Sequence, residues 1–261
     1  MSAILQFYYD YQSYLGVVLI NVFMVVMGVM IAYTTRLEFQ KKSVVVVIEG
    51  LIGAGKTTAV ESLIAEAENS GLFSEVIKLS EPIKKKVLDD YIKDMKTGNR
   101  KHRAWSFQMN TAVKRLHDYE RAKRLALEKP RRLIIIDRGL YGNEAFARMQ
   151  CKRGAFDAND LELYNEEIGV NDGTLAALQN DPIYKVFYLR CTPETAWRRT
   201  LARGDKEEVG GYDLQYMRDL FEAHEQLLMR NANITLVDWE SDQFVENGKI
   251  NAKSLLNTIK E

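Results

Sequence analysis

Residues 44–58 read VVVVIEGLIGAGKTT, and this stretch decides the fold. Five apolar residues in a row, four of them valine, have no helical stripe and no alternation. A short β-branched run of that kind is what a strand buried on both faces needs. The run stops at Glu49-Gly50 and passes into Gly50-Leu-Ile-Gly-Ala-Gly55-Lys56-Thr57, which satisfies G-x-x-x-x-G-K-[ST] directly after a strand and directly before a helical pattern. Glycines let the backbone close round a polyphosphate, and the amide groups at the following helix N-terminus supply donors. Gly50, Gly53, Ala54, Gly55 and Thr58 are therefore expected to form the cradle of ATP, with Lys56 reaching the β- and γ-phosphates and Thr57 holding Mg²⁺.

Outward from this loop, short β-branched runs at 44–48, 75–79, 133–137, 183–189 and 234–238 alternate with helical periodicity at 57–67, 83–95, 105–127, 160–178, 192–201 and 214–229. That alternation predicts an α/β fold: a five-stranded parallel sheet with helices on both faces, of the P-loop kinase type. The polar run KTGNRKHR at 96–103 reads as a solvated loop.

The chain has 261 residues, of which 36 Lys plus Arg balance 36 Asp plus Glu. No overall basic field is present to hold a nucleic-acid backbone, so nucleic acid is not an expected partner and phosphate binding has to be local. Cys151 and Cys191 lack metal-ligand spacing and make no disulfide framework, in keeping with a reducing compartment.

The N-terminus differs from the rest. No charge occurs between Asp10 and Arg36, and residues 14–33 are almost wholly apolar. Twenty helical residues match a bilayer core of roughly 30 Å, so the sequence predicts a membrane-spanning helix over 14–33 after a short segment 1–13. Residues 34–42 form a basic juxtamembrane linker, whose Arg36, Lys41 and Lys42 put the remainder, 43–261, on the cytoplasmic side. The expected protein is thus single-pass and membrane-anchored; a start at Met24, Met27 or Met30 would instead leave it soluble and cytoplasmic.

Further motifs stand where the next strands end: Glu81-Pro82 after the second, and Asp137-Arg138 after the third, at the edge where open α/β sheets bind ligands. With Phe107-Gln108 on a long helix, and Arg199, Arg203 and Glu207-Glu208 after Thr192-Pro-Glu-Thr, they make the sequence resemble the deoxynucleoside kinases. The resemblance runs over about residues 44–245 and implies phosphorylation of a deoxynucleoside 5′-hydroxyl by Mg-ATP, with a homodimer as the usual assembly. It implies Glu81 as general base, Lys56 and Arg138 as catalytic cations, and Asp137 as a second Mg²⁺ ligand beside Thr57. Gln108 would read the base edge, Phe107 and Phe146 would wall it, and Tyr91 and Glu208 would bind the sugar. Arg115 and Asn143 would stand near the base and favour the purine and cytosine branch, Arg199 and Arg203 would close on the phosphates, and Asp242 and Phe244 would pack on the adenine of ATP. Lys86 stands where the family often has a base-packing Trp, and Asp205 where many relatives have a lid Arg. A thymidylate-like nucleoside monophosphate kinase and a non-catalytic, membrane-attached subunit on the same fold remain alternatives.

Overall fold

The computed structural model describes residues 21–30, 42–79, 85–97, 100–168, 181–229, 234–238, 245–246 and 249–260. The chain falls into two units, Met1–Lys42 and Ser43–Glu261.

In the first unit, residues 21–30 are helical. The expected spanning helix over 14–33, and the single-pass anchor with it, is overturned: among the described residues no helix is long and apolar enough to cross a membrane. Ten helical residues at 1.5 Å each reach about 15 Å, half of a hydrocarbon core. Residues 14–20 and 31–33 lie outside the described part.

In the second unit the strands are β1 (Val44–Gly50), β2 (Glu75–Leu79), β3 (Arg132–Asp137), β4 (Tyr184–Arg190) and β5 (Ile234–Asp238). They form one five-stranded sheet in the order β2-β3-β1-β4-β5, and every neighbouring pair is parallel. All seven residues of β1 are buried. Successive side chains of a strand point to opposite faces, so both faces of the sheet are covered at its centre. The helices are α1 (Lys56–Ser70), α2 (Lys85–Thr97), α3 (Arg100–Glu128), α4 (Leu140–Lys152), α5 (Ala158–Ile168), α6 (Pro193–Arg203), α7 (Lys206–Gly211), α8 (Leu214–Leu228) and α9 (Ala252–Lys260). One group pairs α1 with α9, and a second packs α4 against α3, α5 and α8.

Helices α4, α7 and α9 have no counterpart in the sequence reading, and two further elements differ from it. The run 96–103 is not a loop throughout, since α3 already begins at Arg100. Val245–Glu246 and Lys249–Ile250 add a small antiparallel pair, β6 and β7, outside the main sheet.

Local chemistry sets the element ends that matter for the site. The α1 helix starts on Gly55 in left-handed geometry (φ 87°) and stops at Gly71 (φ 63°). Thr192 caps α6 by accepting from the Thr195 amide, with Pro193 in the first turn, and Asp205 caps α7 by accepting from the Glu207 and Glu208 amides. The register sets Ile48 beside Asp137 and Gly50 beside Leu189, so the glycine loop, the Asp137-Arg138 pair and the start of α6 meet at the carboxyl edge of the sheet.

Candidate active site

At that edge lies a cavity of about 500 Å³. Gly53, Gly55, Lys56, Thr57 and Thr58 bound one end, with Arg199 and Arg203 of α6. Gln108, Arg115, Asn143, Phe107 and Phe146 bound the other, with Tyr91 against Phe107, and Glu208, Asp137 and Arg138 also line the cavity. Gly50 and Ala54 are not in its wall. Glu81, Asp242 and Phe244 lie outside the described residues. Four wall residues went unread in the sequence: Ile52, Leu88, Thr111 and Tyr212. Leu88, on α2 two residues beyond Lys86, gives the cavity an apolar wall residue.

The loop holds two cations on one atom. The carbonyl oxygen of Gly50 accepts from Lys56 Nζ at 3.1 Å and from Arg138 Nη1 at 3.3 Å, while Lys56 Nζ also donates to Leu51 O at 2.7 Å. A methyl group on Gly53 (φ 78°) would run into the carbonyl of Ala196, so the loop packs on α6 with no room for a side chain.

Arg138 is one of two non-glycine residues with positive φ among those described (68°), a conformation that costs an L-residue about 1–2 kcal/mol. Its backbone is fastened on both sides. Its N–H donates to Ile48 O at 3.0 Å, and its carbonyl accepts from Arg115 Nη1. Its guanidinium lies over the Phe146 ring, 5.1 Å from the centroid.

Thr57 Oγ1 donates to Asp137 Oδ2 at 3.3 Å, so two hard oxygen donors from α1 and β3 sit together at the phosphate end. Among the described residues there is no cluster of three or more acidic, His or Cys side chains that could cage a metal. The pair suits Mg²⁺, which usually takes one or two protein oxygens and completes its shell with water and substrate phosphates.

At the far end the amides are tied to one another. Gln108 Nε2 donates to the backbone oxygen of Asn143 at 2.5 Å; Asn143 Nδ2 donates to Thr111 Oγ1 at 2.8 Å, and Asn143 Oδ1 accepts from the Tyr164 hydroxyl at 2.6 Å. The Tyr91 ring stacks on Phe107 with centroids 4.2 Å apart, and its hydroxyl accepts from Gln150 Nε2. Burial lifts the Tyr91 phenol well above its ordinary value, so it stays a neutral hydroxyl. Behind Phe146 sits His224, fully buried, with Nδ1 on Leu220 O at 2.9 Å. Burial, reinforced by the nearby Arg138 and Lys56 charges, holds its pKa down to about 3, so it adds no charge there.

The lid is held differently. Glu208 pairs with Arg203, and Asp205 pairs with Lys85 on α2. Lys85 lowers the Asp205 pKa. Asp205 therefore ties α7 to α2.

One more carboxyl-edge residue had no role in the sequence reading. Glu49, last but one in β1, is wholly buried; its Oε1 accepts from the amides of Gly139 and Gly142, each at 3.0 Å. The signal was a lone acid at the end of an otherwise apolar strand.

Fold and site together define a nucleotide-handling P-loop enzyme. The chain matches the deoxynucleoside kinase family over residues 46–261 and belongs to that family. It is similar in fold to deoxyadenosine kinase from M. mycoides with bound dATP, at 23% identity and TM-score 0.60 over 84% of this chain and 100% of that one. The same enzyme with bound dCTP aligns at 20% identity and TM-score 0.58, over 82% of this chain and 98% of that one. No match is found among curated proteins.

Proposed function

We propose that this kinase transfers the γ-phosphoryl group of ATP to the 5′-hydroxyl of a deoxynucleoside, and that its preferred bases carry an exocyclic amine. The observation that carries this reading is the two-ended cavity: a phosphate cradle with Lys56 and Arg138 at one end, and the Gln108–Asn143 amides between aromatic walls at the other. Adenine and cytosine each present an amine beside a ring-nitrogen acceptor, which a glutamine amide matches bidentately. The M. mycoides relatives, with dATP in one structure and dCTP in another, are in keeping with that choice.

In the proposed reaction the transition state is loose and in line, so the protein's part is positioning and charge. Lys56 leaves the loop carbonyls for the β- and γ-phosphates. Arg138 faces the oxygen bridging donor and acceptor, while Arg199 and Arg203 cover the transferring group from the lid. Thr57 and Asp137 would hold Mg²⁺, which supplies charge neutralisation on the phosphate oxygens when bound. Tyr91 and Glu208 face the sugar. Glu81 takes the 5′-hydroxyl proton as general base, a step carried by the family resemblance alone. Homodimer assembly belongs to the same proposal and is read by sedimentation.

The test is ATP-dependent phosphorylation by the full chain with each deoxynucleoside, with thymidine monophosphate and with no acceptor. Turnover with deoxyadenosine and deoxycytidine is expected. Turnover with the monophosphate alone, or ATP consumption indifferent to acceptor, overturns the reading. Glu81→Gln should lower kcat by about 10²- to 10⁴-fold while ATP still binds, and near-normal turnover would remove Glu81 from the mechanism.

A further inference from the structure

Glu49 is the only fully buried carboxylate among the described residues to sit beside the cation cluster of the site, and it does not line the cavity. Burial raises its pKa, opposed by the Gly142 amide and by the charges of Arg138, Arg115 and Lys56. Such a group needs a reason to be where it is, because a buried carboxyl that does nothing is replaced by an apolar side chain at no cost.

The geometry gives one. Arg138 occupies a left-handed backbone that an L-residue leaves unless it is held. Ile48 O holds its N–H, Arg115 holds its carbonyl, and the next N–H, that of Gly139, is held by Glu49 Oε1. The same oxygen takes the Gly142 N–H in the first turn of α4, whose own cap residue, Gly139, has no side chain to do so. Glu49 thus caps α4 from a different strand. The approach is close on purpose-built space: a Cβ on Gly142 would fall 2.5 Å from Glu49 Oε2, and one on Gly139 2.9 Å from Oε1.

We propose that Glu49 is a positioning residue for phosphoryl transfer: by accepting the Gly139 and Gly142 N–H groups it fixes the turn on which Arg138 is mounted. The claim rests on the kinase reading above for its kinetic arm and on geometry alone for its structural one. It needs an acceptor oxygen at Oε1 rather than a negative charge, so Glu49→Gln retains function and Glu49→Ala does not.

The experiment compares the full-length wild type with E49A, E49Q, R138A and the E49A/R138A double variant, by steady-state kinetics and by amide hydrogen exchange. E49A should lose about 100-fold in kcat, as a small misplacement of a catalytic group does, with KM for ATP nearly unchanged. In the R138A background the same substitution should cost nothing more, which a general loss of stability would not reproduce. Exchange protection should fall at residues 139–142 in E49A and persist in E49Q. Equal losses in both backgrounds, or full protection of 139–142 in E49A, overturn the proposal. Should E49A fail to fold, G142A displaces the carboxylate from the other side and must show the same kcat loss or the proposal fails. A wild type inert towards every acceptor would sink the kinase reading instead, leaving the exchange result to decide the role of Glu49.

Discussion

The carboxyl edge of the sheet and the lid both present arginines to the same cavity, yet they are built on opposite terms. At the edge, Arg138 is buried and fastened through backbone groups to β1, α3 and, by way of Gly139, Glu49. In the lid, Arg203 is 52% exposed and Lys85, the α2 partner of Asp205, is 70% exposed, and the bonds are side-chain ion pairs. Exposed pairs contribute little and exchange readily with water and salt, whereas a buried network has no alternative partner to turn to. The edge therefore fixes where charge must develop. The ties of α6 and α7 are the ones that water and salt can compete for.

Breaking the edge should have the largest consequence. Arg138→Ala is expected to cut kcat by about 10²- to 10³-fold in steady-state assays; a loss under tenfold would demote the edge to scaffold. Next comes the sheet that carries it: Ile135, fully buried in β3, should cost about 2–5 kcal/mol of unfolding free energy when replaced by Ala, read by urea denaturation. A smaller effect concerns acid. Native His224 refuses a proton until about pH 3, while the unfolded chain accepts one near 6.5, so the unfolded state binds more protons in that window and stability falls as pH drops through it. His224→Leu should flatten that slope by about one proton, and an unchanged slope would mean that His224 is not its source. The smallest effect is reserved for the lid. Asp205→Asn should change nucleoside KM by no more than about fivefold and leave the melting temperature alone. Raising salt on the wild type should reproduce it; a large kcat loss would show the lid to be as fixed as the edge.

The parts of this molecule that announce themselves in sequence are those whose signal is local. The strands at 75–79 and 234–238 have the bounds expected of them, because a short β-branched run between polar flanks has few other readings. The glycine loop is equally self-contained. Helix α4 passed unread because nine of its residues are buried, which erases the apolar stripe that marks a helix. The C-terminal α9 went unread too, although Leu255, Leu256 and Ile259 make its inner face. The run at 96–103 misled because polar composition does not separate a helical turn from a loop. The anchor expected at 14–33 followed from hydropathy alone, and hydropathy does not fix helix length. Glu49 shows in the sequence only as a lone acid ending an apolar strand: its partners stand some ninety residues further on, and only the β1–β3 pairing brings them near. The amide chain from Gln108 through Asn143 to Tyr164 joins three helices in the same way.

The strand order has a consequence for how the chain is made. The central strand β1 pairs with β3 and β4 and with nothing nearer in sequence, so Val44 waits for Leu133. At a synthesis rate of roughly 5–20 residues per second, its tetravaline run emerges and then stays unpaired for about 4–18 s. During that time it is a short, uncharged, proline-free segment of high β-propensity, the sort that associates with its own copies on crowded polysomes. Slower translation or a shortage of holding chaperones should therefore lower the yield of folded protein before any property of the finished enzyme comes into play.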